Sequence, residues 1–369
     1  MANFFKKLFS KKVTNVVGID IGSSSVKVVQ LSIKNGKAVL DTYGELALGP
    51  YAGAEIGRAT NLPPEKMAEA LKDVLRESKV TTTSAGFAIP FGSSLISAIE
   101  MPALEESKLA QMIPLEARKY IPVPITEVML DWMIIPKDVD KSVDFGDKEQ
   151  VNQGEKLDVL LVAIHNDMLA RFQSIVSQAA VNASFFEIEI FSTIRSSVEQ
   201  DAVTQMIVDL GAASTKVYIV ERGIVRTSHI INRGSQDITM ALSKSLGMTV
   251  QEAEIMKRDL HRVPDTQRKT VDDIMGLTLE YIFSDAHRVM LAYQKKYNKD
   301  ISRVVMVGGG ARIDNINEIA EKYFQTSIVL GNPFGKTESP AFLEEVLKKT
   351  GPEFAVAVGI ALRKLQELG

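Results

Sequence analysis

The sequence predicts an α/β protein of two related lobes, with a smaller α+β module inserted into the first. Three observations carry that expectation. A strand–turn–strand element near the N-terminus recurs about half a chain later. Apolar runs of β character alternate with helical periodicities along most of the chain. The 369 residues are 45% hydrophobic and 24% charged, which is ordinary for a soluble globular protein and ample for about two or three compact units.

Taken in order, residues 16–21 form a short apolar run ending in Gly22-Ser23-Ser24-Ser25, and residues 26–33 follow with strong β character. Asn35-Gly36 marks a hairpin turn. From Pro63 onward, Met67, Leu71, Val74 and Leu75 recur at helical spacing, with Pro63 and Pro64 suited to the first turn. Residues 85–90 read as the next strand. The module then reads as strand 95–101, helix 104–120 kinked at Pro114, strand 127–135, strand 157–164 and helix 168–179. Between Ile135 and Leu157 lies a long segment dense in Asp, Glu and Lys, expected as a solvated hairpin loop. In the second half, residues 206–210, 216–221 and 224–231 read as strands, with Arg222-Gly223 as a turn. Helices are expected near 235–246, 250–258 and 271–296. A strand at 302–307 runs into Gly308-Gly309-Gly310. Helix 313–323, strand 327–330 and a final helix at 354–368, rich in small residues, complete the chain.

Composition excludes several classes. The 43 basic and 46 acidic side chains leave a net charge of −3, so no basic excess points to nucleic acid. The absence of cysteine excludes disulfides, cysteine nucleophiles, iron–sulfur clusters and thiolate zinc sites, and fits a reducing compartment. No stretch approaches the roughly 20 apolar residues of a membrane-spanning helix. His165, His229, His261 and His287 lack the spacing of a metal site. Residues 1–12 stand apart: on a helix, Phe4, Phe5, Leu8 and Phe9 share one face and Lys6, Lys7, Lys11 and Lys12 the other. The lysines interrupt any signal-peptide core. Such a segment can lie on a membrane surface, dock in a partner's groove, or remain an idle tail.

The recurring element carries the chemistry. Residues 18–31, GIDIGSSSVKVVQL, align without a gap with residues 207–220, IVDLGAASTKVYIV. Asp20, Gly22, Ser25, Lys27 and Val28 match Asp209, Gly211, Ser214, Lys216 and Val217. A turn of Gly22, Ser23, Ser24 and Ser25, or of Gly211, Ala212, Ala213 and Ser214, has no bulk to keep an anion from its backbone N–H groups, and consecutive N–H groups suit phosphate. An Asp beside phosphate repels it unless a divalent cation lies between, and Mg²⁺ takes few carboxylates and keeps several waters. Two such hairpins would clamp a polyphosphate from both sides, with Lys27 neutralising charge. The glycines at 308–310 permit close approach of backbone to a nucleoside.

In this order the three elements resemble the actin-like ATPase superfamily, which includes actin, sugar kinases and the heat-shock chaperone ATPase domain. Asp20-x-Gly22-Ser23 with Lys27 resembles its first phosphate loop, Asp209-x-Gly211 its second, and Gly308-Gly309-Gly310 its adenosine loop. Glu187-Ile188-Glu189 resembles the connecting segment that carries a polar group toward the attacking water, with Glu189 the better match. Residues 354–359 resemble the second connecting helix. The resemblance implies a two-lobed fold of duplicated ribonuclease-H-like domains, ATP and Mg²⁺ in the cleft, Asp20 and Asp209 organising the metal, and at most slow hydrolysis.

Within the superfamily the chain is most similar to the PilM family of type IV pilus assembly proteins. The most specific stretches are residues 116–124 with Asp131, residues 247–254, and Asn332-Pro333-Phe334. The inserted module resembles the subdomain shared by that family and the division protein FtsA. This implies a cytoplasmic protein, peripheral to the inner membrane, that binds the cytoplasmic N-terminal tail of PilN and through it joins the pilus platform and motor proteins. Self-association and membrane contact through residues 1–12 are further expectations. The implied divisions are 1–12; 13–94 plus 182–203; the module 95–181; 204–247 plus 300–353; a helical part 248–299; and the connecting helix 354–369.

Two rivals share the fold. An FtsA-like division protein typically ends in a C-terminal amphipathic membrane helix, and here the chain stops just after the last expected helix. A small-molecule kinase needs an acceptor pocket and a base, and no second constellation supplies them. The stretch from Gly331 to Gly335-Lys336-Thr337 resembles a P-loop but is one residue short, and reads as a surface turn.

Overall fold

The computed structural model describes residues 15–135, 156–199 and 203–368. The segment 1–12 and nearly all of the charged loop between Ile135 and Leu157 lie outside the described residues.

The chain opens with Asn15–Ile21 (β1), Ser25–Lys34 (β2) and Lys37–Ala47 (β3), then Pro64–Glu77 (α1) and Ser84–Ile89 (β4). Ser94–Pro102 (β5), Glu106–Ala117 (α2), Val128–Ile135 (β6) and Lys156–His165 (β7) build the inserted module. Asn166–Ala179 (α3), Asn182–Ile188 (β8) and Glu189–Ser197 (α4) lead out of the first half. The second half runs Thr204–Leu210 (β9), Thr215–Glu221 (β10), Ile224–Ile231 (β11), Ser235–Leu246 (α5), Val250–Arg258 (α6) and Asp265–Tyr297 (α7). It closes with Arg303–Val307 (β12), Ile316–Phe324 (α8), Ser327–Leu330 (β13), Glu344–Thr350 (α9) and Ala355–Leu368 (α10).

The duplication read in the sequence is a duplication of topology. One five-stranded sheet has the order β3-β2-β1-β4-β8 and the other β11-β10-β9-β12-β13. In each, a strand pairs antiparallel with its hairpin partner and parallel with the strand that follows the intervening helix or helices. Asp20 lies opposite Lys27, and Asp209 opposite Lys216. Strand β2 is buried from Ser25 to Ser32, its polar Lys27, Gln30 and Ser32 included, because both faces of its sheet are covered.

The inserted sheet, order β5-β7-β6, packs Ile99, Val159 and Leu161 against Leu109 and Ile113 of α2. Trp132 lies half-buried against this small core. Helix α3 follows β7 directly, yet its Leu169, Phe172 and Ile175 pack with Met67 and Leu71 of α1 on the first sheet.

Helices α4 and α10 exchange lobes. Helix α4 follows β8 of the first sheet and buries Ile190 and Ile194 against Ile207, Tyr218 and Val305 of the second. Helix α10 follows the second sheet and buries Ala357, Val358 and Ala361 against Val16, Val29 and Leu31 of the first. They cross in near-contact: a Cβ built on Gly359 would stand 1.9 Å from the backbone oxygen of Ser192. A backbone stitch reinforces the join. Glu338 donates its N–H to the Ala38 carbonyl at 2.7 Å and accepts from the Leu40 N–H at 2.9 Å, on the outer edge of β3.

Some boundaries differ from the sequence reading. Helix α7 begins at Asp265, not near 271, because Pro264 and the acidic first turn start it while the apolar periodicity begins only at Val271. Helix α2 keeps Pro114 inside and is shorter at both ends. Helix α9 has no counterpart among the expected elements. The P-loop-like stretch forms a 3₁₀ turn, and Lys336 donates to the carbonyls of Arg195 at 2.8 Å and Val198 at 2.5 Å, capping the end of α4.

In an ordinary helix, Gly→Ala stabilises by about 1 kcal/mol. Gly359→Ala should instead lower the unfolding free energy by about 2 kcal/mol, because the Ser192 carbonyl must move. Urea unfolding of the two proteins reads the sign directly.

Candidate functional site

A cleft of about 620 Å³ lies between the lobes. Both hairpin turns line it, residues 22–25 from one side and 211–214 from the other. They close alike: the Gly22 N–H donates to the Ser25 carbonyl at 3.0 Å, and the Gly211 N–H to the Ser214 carbonyl at 3.1 Å.

The ionisable groups are arranged unequally around these turns. Lys27 Nζ donates to Ser25 Oγ at 2.7 Å and lies 3.2 Å from Glu45 Oε1, its cross-strand neighbour on β3. Burial opposes its charge, but Glu45, Asp20 and Glu353 outweigh burial and raise its pKa. Lys216 faces Ile230 across the strand instead, and turns to the cleft. Its Nζ lies 3.1 Å from Glu189 Oε2 and 3.3 Å from Asp209 Oδ2. Burial again opposes the charge, and Asp209 and Glu189 more than offset it, holding the lysine well above its ordinary range. The other Glu189 oxygen accepts from the Phe91 N–H at 2.7 Å. Burial pushes the Asp20 carboxyl up to about 6; Lys27 and Lys216 pull it down, while Glu189 and Asp209 add to the rise.

Gly308 makes room for Asp209. It has φ +86°, and a Cβ there would stand 2.5 Å from Asp209 Oδ1. Gly309 faces open space at the cleft, whereas Gly310 is buried behind it against Leu210. Thus Asp20, the turn residues, Lys27, Glu189, Asp209, Gly308 and Gly309 converge on one cavity, and Gly310 supports its wall.

Sequence reasoning missed other cleft residues. Lys216 is visible there only as the repeat's match to Lys27, with no role attached. Helix α6 adds a buried group: Glu254 Oε2 accepts from Lys257 at 2.6 Å and from Thr239 at 2.7 Å, and Glu254 Oε1 accepts from Arg258 at 2.8 Å. Glu353 joins them, 2.5 Å from Arg312 and 3.8 Å from Arg258. The spacing Glu254-x-x-Lys257-Arg258 places all three on one side of a helix, which was the available signal.

A loop between the 3₁₀ turn Gly49–Ala52 and α1 crosses the cleft mouth. Thr60 donates its N–H to the Ser23 carbonyl at 2.7 Å. Ala59 donates its N–H to the Gln236 side chain of α5, and Arg171 of α3 donates to the Leu62 carbonyl. The first turn, the second lobe and α3 therefore share this one loop.

The residues present fit a magnesium nucleotide. The volume lies in the range of nucleotide-sized pockets. Among the described residues no group of three or more acids and histidines could hold a metal alone. Asp20 and Asp209, one from each lobe at the cleft, suit an ion held by one or two carboxylates, waters and phosphate oxygens.

Two matching sheets, crossing helices between them and a cleft floored by paired hairpins define the actin-like ATPase fold. The chain belongs to the family described as type IV pilus assembly protein PilM, whose sequence pattern matches residues 18–365. It is an actin-like type IV pilus assembly protein. The structure of a PilM–PilN type IV pilus biogenesis complex superimposes with a TM-score of 0.79 at 21% identity, covering 96% of this chain and 99% of that one. MreB 5 of Spiroplasma citri, bound to AMPPNP, superimposes with a TM-score of 0.50 at 11% identity, covering 96% and 98%. Cell division protein FtsA of Neisseria meningitidis serogroup B is 22% identical over 93% of this chain and 88% of its own length.

Lys216→Met would leave Glu189 and Asp209 facing each other without their cation. A loss of about 3 kcal/mol in unfolding free energy at neutral pH is expected. Urea unfolding of the two proteins at neutral pH would measure it.

Proposed function

We propose that this protein binds ATP with Mg²⁺ in the interlobe cleft and uses the nucleotide mainly to set lobe closure. The observation that carries the reading is the pair of matching hairpin turns, each with its Asp, lining one cleft from opposite lobes. Asp20 and Asp209 would hold the metal through its waters, and the ion would supply charge neutralisation between them and the phosphates. The backbones at 22–25 and 211–214 would hold the phosphates, with Lys27 beside them. Gly308 and Gly309 would form the nucleoside wall, backed by Gly310, with Glu254, Lys257 and Arg258 opposite. Glu189 is the group proposed to orient a water. Its oxygens are already engaged by Lys216 and the Phe91 N–H, which supports slow turnover and a switch role.

We further propose that the protein works in the cytoplasm, peripheral to the inner membrane, as part of the pilus platform. There it would bind the cytoplasmic N-terminal tail of PilN through the inserted module and its junction with the first lobe. The presence of PilN in the superimposed PilM–PilN complex supports that choice of partner. The loop shared by Ser23, Gln236 and Arg171 is a physical route from phosphates to that junction. The moving bodies would follow the divisions 13–94 plus 182–203, 95–181, 204–247 plus 300–353 and 248–299, joined by 354–369, except that α3 would move with the first lobe, into whose core it packs; residues 1–12 would contact the membrane.

Calorimetric titration with the PilN tail peptide, with and without Mg²⁺–ATP, tests the switch. Micromolar binding that changes with nucleotide is expected; affinity unchanged by saturating ATP would remove the coupling. Asp20→Ala or Asp209→Ala should weaken Mg²⁺–ATP at least tenfold without unfolding the protein, and normal affinity in both would sink the cleft assignment.

Asp20 must shed its proton to serve a cation, and in the folded protein it does so only near pH 6. Mg²⁺–ATP affinity should therefore be flat above pH ~7 and fall by up to tenfold per unit below about 6. A Mg²⁺–ATP titration series across pH reads this.

A further inference from the structure

Helix α7 has two faces of opposite character. Val271, Met275, Leu279, Ile282, Ala286 and Met290 are buried against the second sheet and its helices. The opposite face carries Leu277, Tyr281 and Leu291, which are 70%, 55% and 51% exposed. These three lie outside the nucleotide cleft.

This outward face is self-complementary about Ser284. Leu277 and Leu291 lie seven residues before and after it, Glu280 and Arg288 four, and Asp273 and Lys295 eleven. All of these are exposed. Acids occupy the N-terminal half of the stripe and bases the C-terminal half. Two such helices laid antiparallel with Ser284 at the axis would place leucine on leucine and each acid on a base. Laid parallel, Asp273 would meet Asp273 and Lys295 would meet Lys295.

We infer that this face of α7 is a two-fold interface for a second copy of the chain, formed antiparallel about Ser284. Leu277 packs on Leu291 of the partner subunit, Glu280 pairs with Arg288 of the partner subunit, and Asp273 pairs with Lys295 of the partner subunit. Each contact occurs twice, as a two-fold axis requires. Ser284 is small enough to let the backbones approach, and the stripe from 273 to 295 spans about 33 Å of helix. Arg288 now pairs with Asp285 at 2.5 Å, but both lie on one helix and Arg288 is largely exposed, so turning it toward the partner forfeits little. A single helix face is small for an interface, so a reversible dimer of micromolar strength is expected. This goes beyond the nucleotide and PilN readings and stands whether or not they do.

Sedimentation velocity of the full chain, over a concentration series, provides the test. Wild type should dimerise reversibly. Glu280→Lys alone and Arg288→Glu alone should each weaken the dimer at least tenfold, since each places like charges together. An equimolar mixture of these two variants should dimerise again, because both of its cross-helix pairs are then opposite in sign. Cysteine gives a second, independent reading, because the chain has none of its own. Oxidised Ser284→Cys should form a covalent dimer. Leu277→Cys should not, since its symmetry mate is about 21 Å away along the helix. A wild type that stays monomeric at every concentration would overturn the proposal. So would a mixture that stays monomeric, or a Leu277→Cys protein that links as readily as Ser284→Cys. Unchanged thermal melts of the variants would rule out misfolding as the cause.

Discussion

At the crossing of α4 and α10, backbone lies on backbone with no side chain between. That contact lets each helix leave its own sheet and cover the back of the other, so the two halves share their cores. Behind it, Glu187 accepts from Ser192 at 2.5 Å and Arg195 at 2.7 Å and lies 3.0 Å from Arg363, tying both helices to the end of β8. In front of it, two residues later in the chain, Glu189 meets Lys216. One short segment therefore holds the join with one carboxylate and the cleft with the other. The lobes are held on one side by these helices and by the Glu338 stitch. Relative motion that preserves those contacts opens or narrows the far side, where the hairpin turns face each other.

The near-equivalence of the two hairpins makes their differences informative. Lys27 has Glu45 beside it on the neighbouring strand, so its charge is answered within its own sheet. Lys216 has only Ile230 there, and its charge is answered by Glu189 from the first lobe and Asp209 from the second. The buried cation thus lies between the halves, while burial pushes the Asp20 carboxyl up to about 6 against the pull of Lys27 and Lys216.

How much of this was legible follows from how local each feature is. The hairpins were readable because turn residues, strand patterns and the Asp-x-Gly spacing all lie within about a dozen residues. The inserted module was readable from alternating strands around one helix. Where the periodicity was silent the reading failed: the polar first turn of α7 and the short α9 carry no apolar repeat. Glu254, Lys257 and Arg258 share one side of α6, a spacing present in the sequence, but Glu353 comes from the turn before α10, and only the folded chain brings it to them. Gly309 and Gly310 look identical in sequence, and only the position of Leu210 separates a lining residue from a supporting one.

The exchange of α10 also orders the events of synthesis. The first sheet is complete in sequence once β8 has been made, yet the face holding Val16, Val29 and Leu31 stays bare until α10 emerges, some 170 residues later. At ribosomal rates of roughly 5–20 residues per second, that is a wait of about ten to thirty seconds with an apolar surface uncovered. The outer edge of β3 is likewise unpaired until Glu338 arrives. Shortening the chain at its C-terminal end would therefore injure its N-terminal lobe first, and a nascent chain stalled in the second half would present an adhesive first half.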